Sequence, residues 1–108
     1  MINWPRVTQL KDEVGAEDFG EVVQLFLEEV DEVIQRLRVA PDPASLGGDL
    51  HFLKGSALSL GFQSFSILCQ DGERMAAAGR ASEVDLAAII RNFEQSRDVF
   101  QAELAAHI

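Results

Sequence analysis

The sequence predicts an all-α protein, an antiparallel four-helix bundle with an additional short N-terminal helix. Three observations lead there. Apolar residues recur at helical spacing in every long segment, Gly and Pro interrupt the chain at helix-length intervals, and no stretch alternates with the period of a strand. A chain of 108 residues suffices for one domain, residues 1–108. With 47% hydrophobic and 25% charged residues it has the composition of a packed globule, not of a disordered segment.

The first helix is expected from Trp4 to Val14, with Asn3 as its N-cap, Pro5 in its first turn and Gly15 at its end. The second, Glu17 to Val39, places Phe19, Val22, Val23, Phe26, Val30, Ile34 and Leu37 on one stripe. Its other face is acidic, a solubilising surface on the simplest view. Pro41-Asp42-Pro43 breaks the chain; Asp42 is expected to cap the third helix, with Pro43 at its first position and Gly61 at its end. The fourth helix runs from Phe62 to about Ala78 and stacks Phe62, Phe65, Leu68, Cys69, Gly72, Met75 and Ala76. Ser82 and Asp85 resemble a capping box opening the fifth, whose inward residues are Leu86, Ile89, Ile90, Phe93, Phe100 and Leu104. His107, close to the C-terminus, is expected to be frayed surface.

Composition excludes several functions. A formal charge of −9 and a pI near 4.5 oppose nucleic-acid binding, which rests on clustered Lys and Arg. No apolar run approaches a membrane span, and the first residues lack the basic and apolar regions of a secretory signal. The single cysteine, Cys69, fits a reducing cytoplasm and lies on an apolar stripe as a core residue. One apolar stripe per helix is used up by the bundle, so a monomer is expected.

The third helix carries the chemistry. Leu46, Leu50, Leu53, Ala57 and Leu60 fall in one arc, and His51 points roughly 140° away from it, toward solvent. Gly47, Lys54, Gly55 and Leu58 surround it at i−4, i+3, i+4 and i+7. Glycine inside a helix costs about 0.5–1 kcal/mol against alanine, so Gly47, Gly48 and Gly55 need a reason. Close approach by another macromolecule is one; contact with a neighbouring helix is another. Neutral imidazole is a nucleophile, and phosphoryl transfer needs mainly alignment and charge neutralisation. Lys54, one turn along, is the expected charge support for a phosphoryl group on His51. Glu73 lies about as far beyond Gly61 as His51 lies before it, within roughly 3 Å in height. It is the candidate acceptor for Nδ1, leaving Nε2 free to attack.

The stretch His51-Phe52-Leu53-Lys54-Gly55-Ser56-Ala57-Leu58-Ser59-Leu60-Gly61 resembles the signature of histidine-phosphotransfer domains, H-x-L-K-G-S-x-x-x-L-G. Leu68, Cys69 and Glu73 match its continuation, and Phe26-Leu27 matches the preceding helix. The resemblance implies a phosphorylated Nε2 on His51, phosphate support from Lys54, imidazole binding by Glu73, and receiver docking over Gly55, with Gly47 and Leu58 beside it. Ala57 and Phe62 depart from the pattern, where many relatives carry serine and alanine. Glu73 replaces the glutamine of some relatives and adds a negative charge that Lys54 must offset.

The expected function is therefore a phosphorelay intermediate, carrying a phosphoryl group between receiver domains or from a sensor histidine kinase to a receiver. No nucleotide loop is present, and no cofactor or metal of its own is expected, since the Mg²⁺ of such relays belongs to the receiver. The alternative is a non-catalytic receiver-binding module acting as scaffold or phosphate sink. A bundle metalloprotein would need inward Glu-x-x-His motifs, and the sequence has none.

Overall fold

The computed structural model describes residues 1–108. It is all-helical: α1 (Trp4–Val14), α2 (Ala16–Val39), α3 (Leu46–Leu60), α4 (Gln63–Ala77), a single 3₁₀ turn (Ala81–Glu83) and α5 (Leu86–His107). There is no strand, only an isolated bridge between Ile2 and Phe62. No helix is long and apolar enough to cross a membrane.

The helix ends follow local chemistry. The Asn3 side chain accepts a hydrogen bond from the Arg6 N–H, and Pro5 occupies the first turn, where a missing N–H costs nothing. Gly61 ends α3 in the left-handed region at φ 81°, and its N–H returns to the Ala57 carbonyl. Gly79 takes φ 76° after α4.

Two starts differ by several residues from the sequence expectation. The third helix begins at Leu46 rather than Pro43. Asp42 accepts from the Ala44 N–H, and its carbonyl accepts from the Ser45 N–H, so it closes one isolated turn before the helix proper. Likewise Ser82 does not cap α5. It lies in the 3₁₀ turn, and Asp85 is the N-cap, accepting from the Ala88 N–H at 3.0 Å. Short polar side chains fit both an isolated turn and a helix start, and local sequence does not separate the two.

One cluster of 20 apolar residues forms the core, drawn from every helix. Phe62, Phe65, Phe93 and Phe100 meet at its centre with tilted rings. Phe62, expected inside the fourth helix, is instead its buried N-cap residue. On α2 the buried residues are Phe19, Val23, Leu27, Val30, Ile34 and Leu37. Leu27 thus takes the inward place assigned to Phe26 and Val22, which are only half-buried. Cys69 is fully buried, and loss of hydration pushes its thiol up to about 12, so it is an inert core residue.

His107 is also not frayed. Its ring stacks on Trp4 with centroids 3.9 Å apart, and Trp4 in turn faces Phe100. This contact ties the end of α5 to the start of α1. Residues before α1 also serve the α3–α4 turn. The Asn3 N–H donates to the Gly61 carbonyl at 2.7 Å, and the Met1 carbonyl accepts from the Gln63 N–H.

Candidate functional site

α3 and α4 form the most extensive helix pair of the fold. Glycine explains how closely they approach. A Cβ on Gly72 would lie 2.9 Å from Leu50 Cδ1 and 3.2 Å from Val84 Cγ1. Leu50 and Gly72 immediately precede His51 and Glu73, so this close contact lies next to the positions that carry those two side chains. Further along, a Cβ on Gly47 would make an ordinary contact with Ala76 at 3.7 Å.

On that support stands a chain of three polar groups. His51 is exposed, with 69% of its side chain open to solvent, and its Nδ1 is 2.8 Å from Glu73 Oε2. The other carboxylate oxygen, Oε1, lies 2.7 Å from the Lys54 ammonium. The hydrogen bond from Lys54 is the main reason that the Glu73 carboxyl sits below its ordinary range, and the bond to His51 adds to it. Glu73 is therefore a carboxylate near neutral pH. A carboxylate only accepts, so Nδ1 donates to it, and in the neutral ring the lone pair is on Nε2, which makes no hydrogen bond within the protein.

Lys54 is half-buried and already paired. Sequence reasoning assigns its charge directly to a phosphoryl group; the structure places it on Glu73, which it holds and neutralises. The Glu73 charge that the sequence reading left to be offset is thus already paired within the protein.

The glycines around His51 divide into two kinds. Gly47 touches α4, in a shallow recess it shares with Glu73, Ala76 and Ala77. Gly55 is exposed, and a Cβ there would meet nothing within 4 Å, so contact with a neighbouring helix does not account for it. Leu58 stands open at 57% exposure, beyond Lys54 on the same ridge.

Several residues at the site escaped sequence reasoning. Phe26, Glu29 and Phe52 line an open recess beside His51, together with Gly55, Ser56 and Ser59. Arg36 binds Asp49 through two hydrogen bonds of 2.8 Å and clamps α2 to α3 two residues before His51. Gly72 reads as an ordinary member of an apolar stripe. Phe26 already belongs to the apolar stripe of the second helix and to the family resemblance, and Glu29 to its acidic face, so what the sequence lacked was their place beside His51. No cluster of three or more His, Cys, Asp or Glu is placed to hold a metal ion.

Against known proteins, one family model matches, described as the Hpt domain, over residues 21–107. Comparison with curated proteins and with solved structures found no match.

Proposed function

The chain belongs to the Hpt domain family, whose members take part in phosphorelays with histidine kinases and response regulators, and we propose that it is a carrier, accepting a phosphoryl group on Nε2 of His51 and passing it to a receiver domain. The observation that carries this reading is the orientation of His51, an exposed imidazole held at Nδ1 with its other nitrogen free.

The transfer balances without a base. The Nε2 lone pair attacks the phosphorus of an acyl phosphate on a receiver aspartate. The N–P bond forms as the P–O bond to the carboxylate breaks, and that electron pair leaves with the carboxylate. Nε2 has no proton to lose. The positive charge that develops on the ring is met through the Nδ1–H bond by Glu73, and Lys54 keeps Glu73 ionised and in place. Return of the phosphoryl group to another receiver reverses the same steps.

The same reading treats residues 1–108 as one domain, its helices as an antiparallel four-helix bundle with α1 appended, and its working state as a cytoplasmic monomer. The pairing of Gly47 with Ala76 and of Leu50 with Gly72 supports antiparallel α3 and α4. Gly55 and Leu58, open beside His51, suit receiver docking, with Gly47 at the edge of that surface.

The test is incubation with phosphorylated receivers of the same organism, followed by detection of acid-labile, base-stable phosphate on the chain. His51→Gln should remain folded, because surface substitutions shift stability by about 0.5 kcal/mol or less, and should accept no phosphate. Phosphate on the His51→Gln chain would refute the assignment.

A further inference from the structure

The recess beside His51 continues along α2. One part, of about 420 Å³, is lined by Phe26, Glu29, His51, Phe52, Gly55 and neighbouring serines. A second, of about 220 Å³, is lined by Val22, Leu25, Phe26 and Glu29. Phe26 and Glu29 belong to both, so the two form one track leading away from the imidazole. Its apolar walls are open to solvent, with Leu25 53% and Phe52 40% exposed. The floor at Gly55 is clear of side chains.

Charge distinguishes this track from a plain apolar groove. No cation lines it. The cations around it are engaged, Lys54 by Glu73, Arg36 by Asp49, and Arg6, whose Nε donates to the Ser59 carbonyl, by Glu13. Glu29 is exposed and takes part in no ion pair. It is the one ionised group bordering both halves of the track. A second copy of this chain, at −9, would bring like charge to the groove and is disfavoured as its occupant.

We propose that Glu29 is a specificity-determining residue, and that the track selects receiver domains whose docking surface carries apolar side chains bordered by a Lys or Arg that meets Glu29. This rests on the carrier reading of His51 and names the partner that reading leaves open. Such a pair lies on the rim of the interface, where opposite charge accelerates encounter and like charge rejects wrong partners.

The experiment uses every receiver domain of the same organism, each charged with acetyl phosphate. Initial transfer rates to the wild-type chain and to Glu29→Gln and Glu29→Lys are measured against receiver concentration at two ionic strengths. For the preferred receivers, KM should rise about threefold in Glu29→Gln and about tenfold or more in Glu29→Lys, with the change falling on KM rather than kcat. The salt dependence of KM should flatten in Glu29→Gln. Reversing the basic residue of a preferred receiver to Glu should restore its KM against Glu29→Lys. An unchanged KM in Glu29→Lys, or preferred receivers that are acidic at that border, would overturn the proposal while leaving the carrier reading standing. A wild-type chain that takes phosphate from no receiver would sink the carrier reading, and the partner assignment with it.

Discussion

The same substitution, glycine to alanine, should have opposite effects at two positions of this site. At Gly55 the added methyl meets nothing within 4 Å. The helix gains only propensity, so Gly55→Ala should stabilise the protein by about 0.5–1 kcal/mol. At Gly72 the same gain competes with overpacking. The methyl would stand 2.9 Å from Leu50 Cδ1, 3.2 Å from Val84 Cγ1 and 3.4 Å from Ile89 Cδ1. Leu50 and Ile89 are buried and Val84 is half-buried, so none of the three moves freely. Overpacking of this kind costs about 1–3 kcal/mol, and subtracting the propensity gain leaves a net loss of roughly 1 kcal/mol, or a fall of several degrees in Tm. Denaturant midpoints at constant m-value read both signs directly. The site should register the change as well. If α4 is pushed off α3 by only half an ångström, the 2.8 Å bond between His51 and Glu73 is strained, and the ¹⁵N signals of the His51 ring should show a mixture of tautomers. The reasoning fails if Gly72→Ala stabilises the protein as much as Gly55→Ala does, or if it leaves the ring signals unaltered.

The remaining predictions concern the polar chain and the docking face. Replacing Gly55 by Gln should weaken receiver binding several-fold while leaving the melting temperature equal or higher; marked destabilisation would contradict the open surroundings of Gly55. Lys54→Ala should slow transfer by at most about tenfold, because the charge is partly exposed and screened, and Lys54→Arg should recover part of the loss. Phosphotransfer kinetics measure both, and an unchanged rate in Lys54→Ala would remove Lys54 from the site. The Glu73 carboxyl is held below its ordinary value of 4.5, so its stabilising contacts are fully present above that pH and disappear as pH falls through the lower folded value. A ¹³C titration of the Glu73 carboxyl should show that midpoint moving up in Lys54→Ala, since Lys54 is the largest cause of the depression; a midpoint that stays put would refute the pairing.

Much of this protein was legible in the sequence because much of it is local. Helix periodicity separates inward from outward faces, so the exposure of His51 follows from the positions of five apolar residues on its own helix. Gly61 and Gly79 announce the ends of α3 and α4 because a left-handed backbone there suits only a residue without a Cβ. Counting outward from Gly61 brings Glu73 to the height of His51. Where local rules permit two outcomes, at Asp42 and Ser82, the helix starts had to be read from the structure.

Tertiary packing decided the rest. Whether α2 turns Leu27 or Phe26 to the core depends on a rotation of a few tens of degrees, set by the helices it packs against and not by its own pattern. The partner of Lys54 is a matter of ångströms between two helices. Their spacing is set by Leu50 resting on Gly72, a contact between residues 22 positions apart that neither segment encodes alone. The track past Glu29 likewise exists only once α2 lies beside α3. Sequence by itself determined that His51 faces the solvent and that the five apolar residues of its helix do not. Only the fold decided which side chains face each other, because a hydrogen bond or an ion pair is lost within an ångström or two, finer than any helical period can specify.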